Sequence, residues 1–277
     1  WKDNPALYQK TFRKLHAVLQ AYAPNAATVW TVRPGDIFEI HRYYPGVEHT
    51  DWVGMKLQSS PFASRAGAAP QDLRASHPLD AVTDFYATYA RYHPVMLSAY
   101  SAAHSTSLKP GQSFSAYAER QLRETYWSAL LEYPRIKAIQ YLPQQIKTGR
   151  GQEDHRLFTN AAKTNAYRSL SKNPHFSASV KNAEEERLRR PVKLSAVEGN
   201  VDGLPGYLAL RTAEPIGGLS LSIGKKTVVI EQKFPHRFTF PKLTPGEQEI
   251  QITAWNTKGQ IILERQDIRT VQTSKSE

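Results

Sequence analysis

The pattern of apolar and polar positions divides the chain near residue 184. Between Tyr8 and Tyr22, apolar residues recur at every third or fourth position, which predicts an amphipathic helix. The pair Asn4-Pro5 precedes this helix and suits its first turn, because Asn caps a helix and Pro fits the first helical position. The apolar run Ala27–Val32 then predicts a buried strand.

The same alternation continues up to residue 183. Strands are predicted at 51–57, 94–101 and 135–142, helices from Pro78 to Tyr89, over about 113–132 and over 164–170, and loops at 59–76, 105–112 and after 142. In the helix that Pro78 opens, the predicted apolar face is Leu79, Val82, Tyr86 and Tyr89. Strands separated by helices form right-handed βαβ units, so a parallel sheet is expected.

Four such strands make half of an eight-stranded α/β barrel. A bare half would expose two parallel edges and an open core, which natural chains avoid. We therefore expect either further sequence before Trp1 or a second chain that completes the barrel.

The remainder of the chain has a different pattern. The charged run Glu184–Arg190 predicts a linker, and Pro191 closes it. Seven short strands follow, at 192–197, 207–211, 219–223, 227–232, 237–240, 247–255 and 260–265, with a hairpin turn at Asn256–Gly259. This spacing predicts an all-β immunoglobulin-like sandwich. The predicted domains are thus a barrel half (1–183), a linker (184–190) and a sandwich (191–277).

Composition removes several classes of function. The 277 residues include no cysteine, which excludes disulfides, thiolate metal sites and a Cys nucleophile. The nine histidines lack metal-site spacing, and no phosphate-binding glycine loop or GxSxG elbow occurs, so no metal or cofactor is expected. No apolar run approaches the roughly 18 residues that span a bilayer.

The net charge of +11 is spread along the chain. Dispersed charge favours a generally basic surface over a nucleic-acid groove, so no nucleic-acid partner is expected. Attraction to anionic cell-wall polymers fits this charge equally well.

Several short motifs follow one another along the first 180 residues. They are Trp1-x-x-Asn4-Pro5-x-x-Tyr8-x-x-x-Phe12-Arg13, Ala23-Pro24-Asn25 followed by Val29-Trp30, Tyr43-Tyr44-Pro45-Gly46 with Asp51-Trp52-Val53-Gly54, Pro94-Val95-Met96, and Tyr133-Pro134-Arg135-Ile136-Lys137-Ala138-Ile139. In these motifs the region resembles the C-terminal part of a glycoside hydrolase family 26 catalytic domain, a β-mannanase-like (β/α)8 TIM barrel, from about strand five to strand eight. The sandwich resembles bacterial immunoglobulin-like modules more loosely, through Gly246–Ala254.

The resemblance implies retaining hydrolysis by two glutamates about 5–5.5 Å apart. The acid/base of the family lies a few residues before the position of Trp1, outside this chain. The nucleophile position falls on Ala99, which has no lone pair to attack an anomeric carbon. No Asp or Glu occurs between Asp84 and Glu119, so a slip of one or two residues restores no carboxylate.

The candidate substrate-binding positions, taken from the resemblance and from placement at strand ends, are Trp1, Arg33, Gln58, Tyr100, His104 and Tyr141. Gln58 and Tyr141 stand where the family has a tyrosine and a tryptophan. The two tyrosines and His104 are expected at the barrel mouth, where aromatic faces stack on sugars, but packing of the tyrosines under loops fits equally well. Arg33 either contacts substrate or pairs with Asp36.

Three loop carboxylates lie near predicted strand ends, where a site could recruit them, although acidic loop residues are mostly solvated. They are Glu39, Glu153 and Asp154.

These observations lead to a first hypothesis of a bacterial, extracellular or envelope-associated protein of the family 26 type. It would act on or bind a β-linked, mannan-like polysaccharide, with hydrolysis impaired at Ala99. The alternative is a non-catalytic module for cell-wall or matrix polysaccharide. A third hypothesis, a polyanion or nucleic-acid binder, rests only on the charge.

Overall fold

The structure is a computed structural model that describes residues 3–62, 77–148, 151–173, 176, 201–210, 212, 214–244 and 246–271. The chain falls into two compact units. The first contains the residues up to Ser169 except for two short stretches, which belong to the second unit, and the second unit continues from Leu170. The predicted linker at 184–190 and the strand at 192–197 lie outside the described residues. The predicted domain bounds stay a prediction.

The described helices and strands alternate in the first unit and are almost all strands in the second. The helices are α1 (Pro5–Tyr22), α2 (Ile37–His41), α3 (Thr83–Tyr89), α4 (Ser115–Leu131) and α5 (Ala161–Ser171), with 3-10 turns at Val47–His49 and Pro78–Val82. The strands are β1 (Val29–Val32), β2 (Trp52–Ser59), β3 (Val95–Ala102), β4 (Ser105–Thr106), β5 (Ile136–Tyr141), β6 (Gln145–Thr148), β7 (Gly151–Asp154), β8 (Pro205–Leu208), β9 (Ile216–Ile223), β10 (Lys226–Val228), β11 (His236–Thr239), β12 (Gly246–Asn256) and β13 (Ile261–Val271). None of the described helices has the length and hydropathy that a membrane span requires.

The four strands predicted for the first unit form one parallel sheet in the order β1-β2-β3-β5. On one face Val53, Met55 and Leu57 of β2 are buried, and Trp30 of β1 packs on this face against the rings of Phe85 and Tyr89 from α3. Along β2 the alternate positions Lys56 and Gln58 are exposed on the opposite face. The sheet is open, with β1 and β5 as its edges, and the described strands show no closed barrel.

Helix α1 begins as predicted, since the Asn4 side chain accepts a hydrogen bond from the Leu7 amide at 2.9 Å. The apolar stripe of α1 does not form part of the core, because no residue of α1 is buried and Tyr22 is 87% exposed. The helix contacts the unit through partly exposed residues, since the ring of Tyr8 packs edge-on against Tyr43 and Arg13 donates to the Pro45 carbonyl.

The buried face of the segment from Pro78 contains Leu79, Val82 and Tyr89 as predicted and differs from the prediction at one position. Phe85 is buried and Tyr86 is half-buried. The reason is the 3-10 turn that precedes α3, since three residues per turn place Leu79, Val82 and Phe85 on one side.

The segments after β3 and β5 were expected to be loops, and this expectation is wrong. They contain a three-stranded antiparallel sheet in the order β4-β7-β6. Its strands are polar and lack apolar alternation. They are defined by backbone pairing between segments that are distant in sequence, as between β4 and β7, and a hydrophobic face does not mark them.

The second unit contains a four-stranded antiparallel sheet, β10-β9-β12-β13, and a two-stranded sheet, β11-β8. Apolar residues of both sheets surround a common cluster that includes Leu221, Ile223 and Ala254. The predicted turn between β12 and β13 is confirmed, since Asn256 accepts from the Gln260 amide and Gly259 has φ 78°. The last six predicted strands overlap β8 to β13, while classification as an immunoglobulin-like sandwich stays a prediction.

Candidate functional site

The carboxyl ends of the four parallel strands meet at one edge of the sheet, here called the carboxyl edge. In open α/β sheets, ligands bind at this edge because the loops that follow the strands converge there. Main-chain hydrogen bonds continue beyond the strands, from the Ala103 amide to Ser59 and from the Leu142 amide to Tyr100. Residues that follow β3 and β5 are therefore held in a fixed arrangement.

Ala99 lies near the end of β3, beside an irregularity in its pairing with β2. Met55 pairs with Leu97 and Lys56 pairs with Ala99, so Ser98 is an extra residue in β3. The register places Ala99 on the same face as the exposed Lys56, opposite to the face that the helices cover. Ala99 is 7% exposed, and its methyl group offers no nucleophile.

A buried lysine of α5 joins the residues that follow β3. The Nζ atom of Lys163 donates to the Ala102 carbonyl and to Nδ1 of His104, both at 3.0 Å, and the residue is 0% exposed. An ammonium group only donates, so Nδ1 of His104 is the acceptor and Nε2 carries the proton. That Nε2 lies 3.8 Å from Oδ2 of Asp154. These three side chains, here called the relay, lie in the order Lys163 ammonium, His104 imidazole and Asp154 carboxylate.

The charges in this relay follow from burial and from the neighbouring groups. Burial lowers the pKa of Lys163 to about 8, with Asp154 opposing the shift. Burial and then the nearby lysine lower the pKa of His104. Burial acts to raise the pKa of the Asp154 carboxyl, but hydrogen bonds from Arg156 outweigh it and the pKa lies below its usual value. At neutral pH the relay is therefore a cation, a neutral imidazole and an anion.

The three carboxylates expected in loops lie in secondary structure, Glu39 in α2 and Glu153 and Asp154 in β7, and all three have partners. Glu153 accepts from Ser60 at 2.6 Å and lies 3.1 Å from Nε2 of the buried His155. Asp154 is bound by two nitrogens of Arg156. Glu39 pairs with Arg42 at 2.8 Å on the surface. These contacts suit the carboxylates to hold loops in place, and the described residues include no group of three or more side chains placed to hold a metal ion.

Tyr100 was expected at the barrel mouth, and the structure places it elsewhere. Its register with Leu57 turns it toward the helix-covered face, where it is fully buried beside the rings of Tyr126 and Tyr141. Burial raises its pKa well above the ordinary value. Tyr100 therefore packs in the core, and its side chain has no exposed surface that a ligand could contact.

Tyr141 is half-buried at the carboxyl edge. Its hydroxyl donates to the His155 carbonyl at 2.9 Å, and its ring centroid lies 6.0 Å from Nζ of Lys163. Burial raises the pKa of this hydroxyl. Tyr141 is thereby connected to His104 through the lysine that both contact.

The other predicted positions lie at the surface or outside the described residues. Gln58 is exposed near the end of β2, and Arg33 is exposed directly after β1. Asp36 caps α2 by accepting from the amides of Phe38 and Glu39. Trp1 lies outside the described residues. The substrate-binding roles of these positions stay predictions.

Sequence reasoning missed two residues at this edge. Lys163 reads as a solvated surface residue, because charged helix positions usually face water and no local pattern marks its burial. Phe158 follows β7 in the sequence and is 75% exposed. An aromatic residue in a polar loop is the only sequence signal for Phe158, and it does not reveal exposure.

The loop that carries Phe158 is anchored on both sides. Before it, the Arg156 amide donates to Asp154 at 2.9 Å. Thr164 of α5 donates to the carbonyl of the buried Leu157, and Asn160 caps α5 by accepting from the Lys163 amide. The loop therefore presents an aromatic side chain to solvent from a fixed backbone.

No protein-family model and no curated protein matches this chain. Among solved structures it is similar to an endo-β-1,4-mannanase double mutant from Cellulomonas fimi, with TM-score 0.41, 12% identity, and coverage of 97% of this chain and 59% of that one. It is also similar to an endo-β-1,4-mannanase from Thermotoga petrophila (TM-score 0.38, 10% identity, 98% and 62% coverage) and to a β-glucuronidase from Bacteroides uniformis (0.39, 14%, 96% and 31%). The chain thus spans less than two thirds of these glycosidases. At such identities and TM-scores, the matches carry no argument about substrate or activity.

Proposed function

We propose that this chain is a glycoside-hydrolase-like protein that binds a β-linked, mannan-like polysaccharide at the carboxyl edge and does not cleave it by the retaining mechanism. The observation that carries the proposal is Ala99 near the end of β3, on the same face of the sheet as the exposed Lys56. A retaining mechanism needs a carboxylate nucleophile, and a methyl group cannot replace it.

Binding at this edge would use an aromatic platform with polar groups beside it. Phe158 is exposed on an anchored loop, and the charged pair of Asp154, the last residue of β7, and Arg156 lies just before it in the sequence. Aromatic faces stack on the apolar faces of pyranose rings, while charged and hydroxyl groups hydrogen-bond the sugar hydroxyls. This combination supports glycan binding without catalysis.

The proposal extends to the surroundings of the chain. A polysaccharide ligand implies an extracellular or envelope-associated protein, and the second unit would serve as an immunoglobulin-like accessory module. The open edges β1 and β5 support completion of the sheet by further β/α units of a longer chain or by a second chain, because parallel sheets are normally covered.

The alternative, a cell-wall or matrix polysaccharide binder that holds its ligand by charge, is favoured by the net charge of +11. It differs from the main proposal in where and how the glycan is held. The salt dependence of binding separates the two.

The first experiment measures cleavage and binding together. Reducing-sugar release from soluble β-mannan should stay at the blank level, while the protein should be retained on insoluble mannan. Phe158→Ala should lower retention about tenfold, because one sugar-stacking ring is worth on the order of 1 kcal/mol or more. Tyr22→Ala is the matched control, since this aromatic residue is 87% exposed on α1, away from the carboxyl edge. Equal retention of the two variants would contradict binding at this edge.

A second pair of variants tests the chemistry. Ala99→Glu should release no reducing sugar, because the carboxylates described at this edge already bind Arg156, His155 or Arg42 and leave no acid/base partner. The control is Ala99→Gln, whose side chain is nearly the same size as the glutamate and would disturb β3 to the same extent. Sugar release by the glutamate variant alone would show that a single substitution had removed an otherwise complete site.

A further inference from the structure

A second candidate site lies at the amino ends of the parallel strands, opposite the carboxyl edge. An open depression of about 290 Å³ is lined by Tyr86, Ala87, Ala90, Arg91 and Arg135. Arg91 follows α3 and precedes β3, whereas Arg135 directly precedes β5. Arginines from two separate parts of the chain therefore line one depression.

Arg135 is held in position by several contacts. Its Nε donates to the Ala90 carbonyl at 2.8 Å, and its backbone amide donates to the Tyr86 hydroxyl at 3.0 Å. Its carbonyl in turn accepts from the Val95 amide. With Nε bound, the terminal nitrogens stay available, and their direction is fixed by the planar guanidinium group.

The other side chains of the depression complement this arginine. The hydroxyl of Tyr86 accepts from Arg135, and its own proton has no acceptor among the described residues. The guanidinium of Arg91 lies over the ring of Tyr92, 4.5 Å from its centroid, which keeps the charge at the surface. None of the five lining residues is acidic.

We propose that this depression binds an oxyanion, the carboxylate, phosphate or sulfate group of an anionic ligand. Guanidinium groups match the geometry of such oxygens and form charge-assisted hydrogen bonds that are stronger than neutral ones. Arg91, Arg135 and the Tyr86 hydroxyl supply donors from three residues of the lining. Because this site lies at the opposite edge of the sheet, it is independent of glycan binding near Phe158.

The test is calorimetric titration of the chain with inorganic phosphate and, separately, with tri-galacturonate, which carries carboxylates. Arg91→Gln and Arg135→Gln should each weaken binding about tenfold, because each removes a charged donor. Arg265→Gln removes one charge from an exposed position in β13 and should change the affinity less than twofold. Mannotriose, which is neutral, should not compete.

The two ligands separate the possible sources of the oxyanion. Arginine-dependent binding of phosphate alone assigns a phosphate group, and binding of tri-galacturonate alone assigns a carboxylate. Arg91→Gln keeps the test decisive if the Arg135 variant is unstable, since Arg91 contacts only an exposed ring in the described structure. Failure to bind both phosphate and tri-galacturonate, or an equal loss of affinity in Arg265→Gln, would overturn the proposal.

Discussion

At the scale of single residues, Lys163 shows how a buried charge is accommodated. Its ammonium has two acceptors within 3.0 Å and a carboxylate beyond His104 that offsets part of the burial cost. Removing one partner of such a network leaves the others buried without their bonds, which costs more than each bond contributes. The relay therefore fixes the positions of the residues that follow β3 and β7.

The lowered pKa of Lys163 predicts a specific pH dependence. The unfolded chain holds this proton up to about pH 10.5, whereas the folded chain loses it near pH 8. Between these values the unfolded state binds more protons, so the free energy of unfolding rises with pH, by on the order of 3 kcal/mol from this group. Urea unfolding at pH 7.5, 9 and 10 should show this rise in the wild type and its loss in Lys163→Met. Parallel pH profiles for the two proteins would contradict a buried, titrating lysine.

At the scale of elements, the parallel sheet depends on close approach between β1, β2 and β3. Gly54 is the third residue of β2, and a Cβ atom there would lie 2.7 Å from Oγ1 of Thr31 and 3.2 Å from Cβ of Ser98. Both neighbouring strands thus meet the glycine directly. The absence of a side chain on Gly54 sets the spacing on the face that carries Ala99.

Gly54→Ala should destabilise the protein by about 1–3 kcal/mol, because the added methyl overpacks two strands at once. Gly35→Ala is the matched control, since its Cβ would meet nothing closer than Ile40 at 3.9 Å. Chemical denaturation of both variants measures the difference. A control variant as unstable as Gly54→Ala would show that general glycine effects, rather than strand contact, are responsible.

At the scale of the whole molecule, charge and recognition have to be separated. The net charge of +11 attracts any anionic polymer, with a strength that falls as salt screens it. A neutral mannan has no charge to attract. Glycan binding through Phe158 and the polar groups beside it should therefore be nearly independent of ionic strength.

Retention on insoluble mannan should persist in about 0.5 M NaCl, where the Debye length is about 4 Å. Retention on an anionic polymer should disappear under the same conditions. Column retention at low and high salt measures both. Loss of mannan retention at high salt would favour the charge-based alternative over recognition at the carboxyl edge.

The sequence alone determined the features that depend on neighbouring residues. Asn4 caps α1 and Asn256–Gly259 forms a hairpin turn because each uses contacts within a few positions. The four parallel strands followed from apolar runs of the right length, and the absence of a carboxylate at Ala99 is a property of the sequence itself.

Only the tertiary structure decided which way side chains face and which distant groups meet. The extra residue Ser98 shifts the register of β3, and the pairing with Leu57 turns Tyr100 into the core. The contact between Lys163 and His104 joins residues 59 positions apart. The hairpin of β6 and β7 has no apolar alternation to announce it. Such features arise from pairing and burial between distant segments, and local sequence patterns carry no record of them.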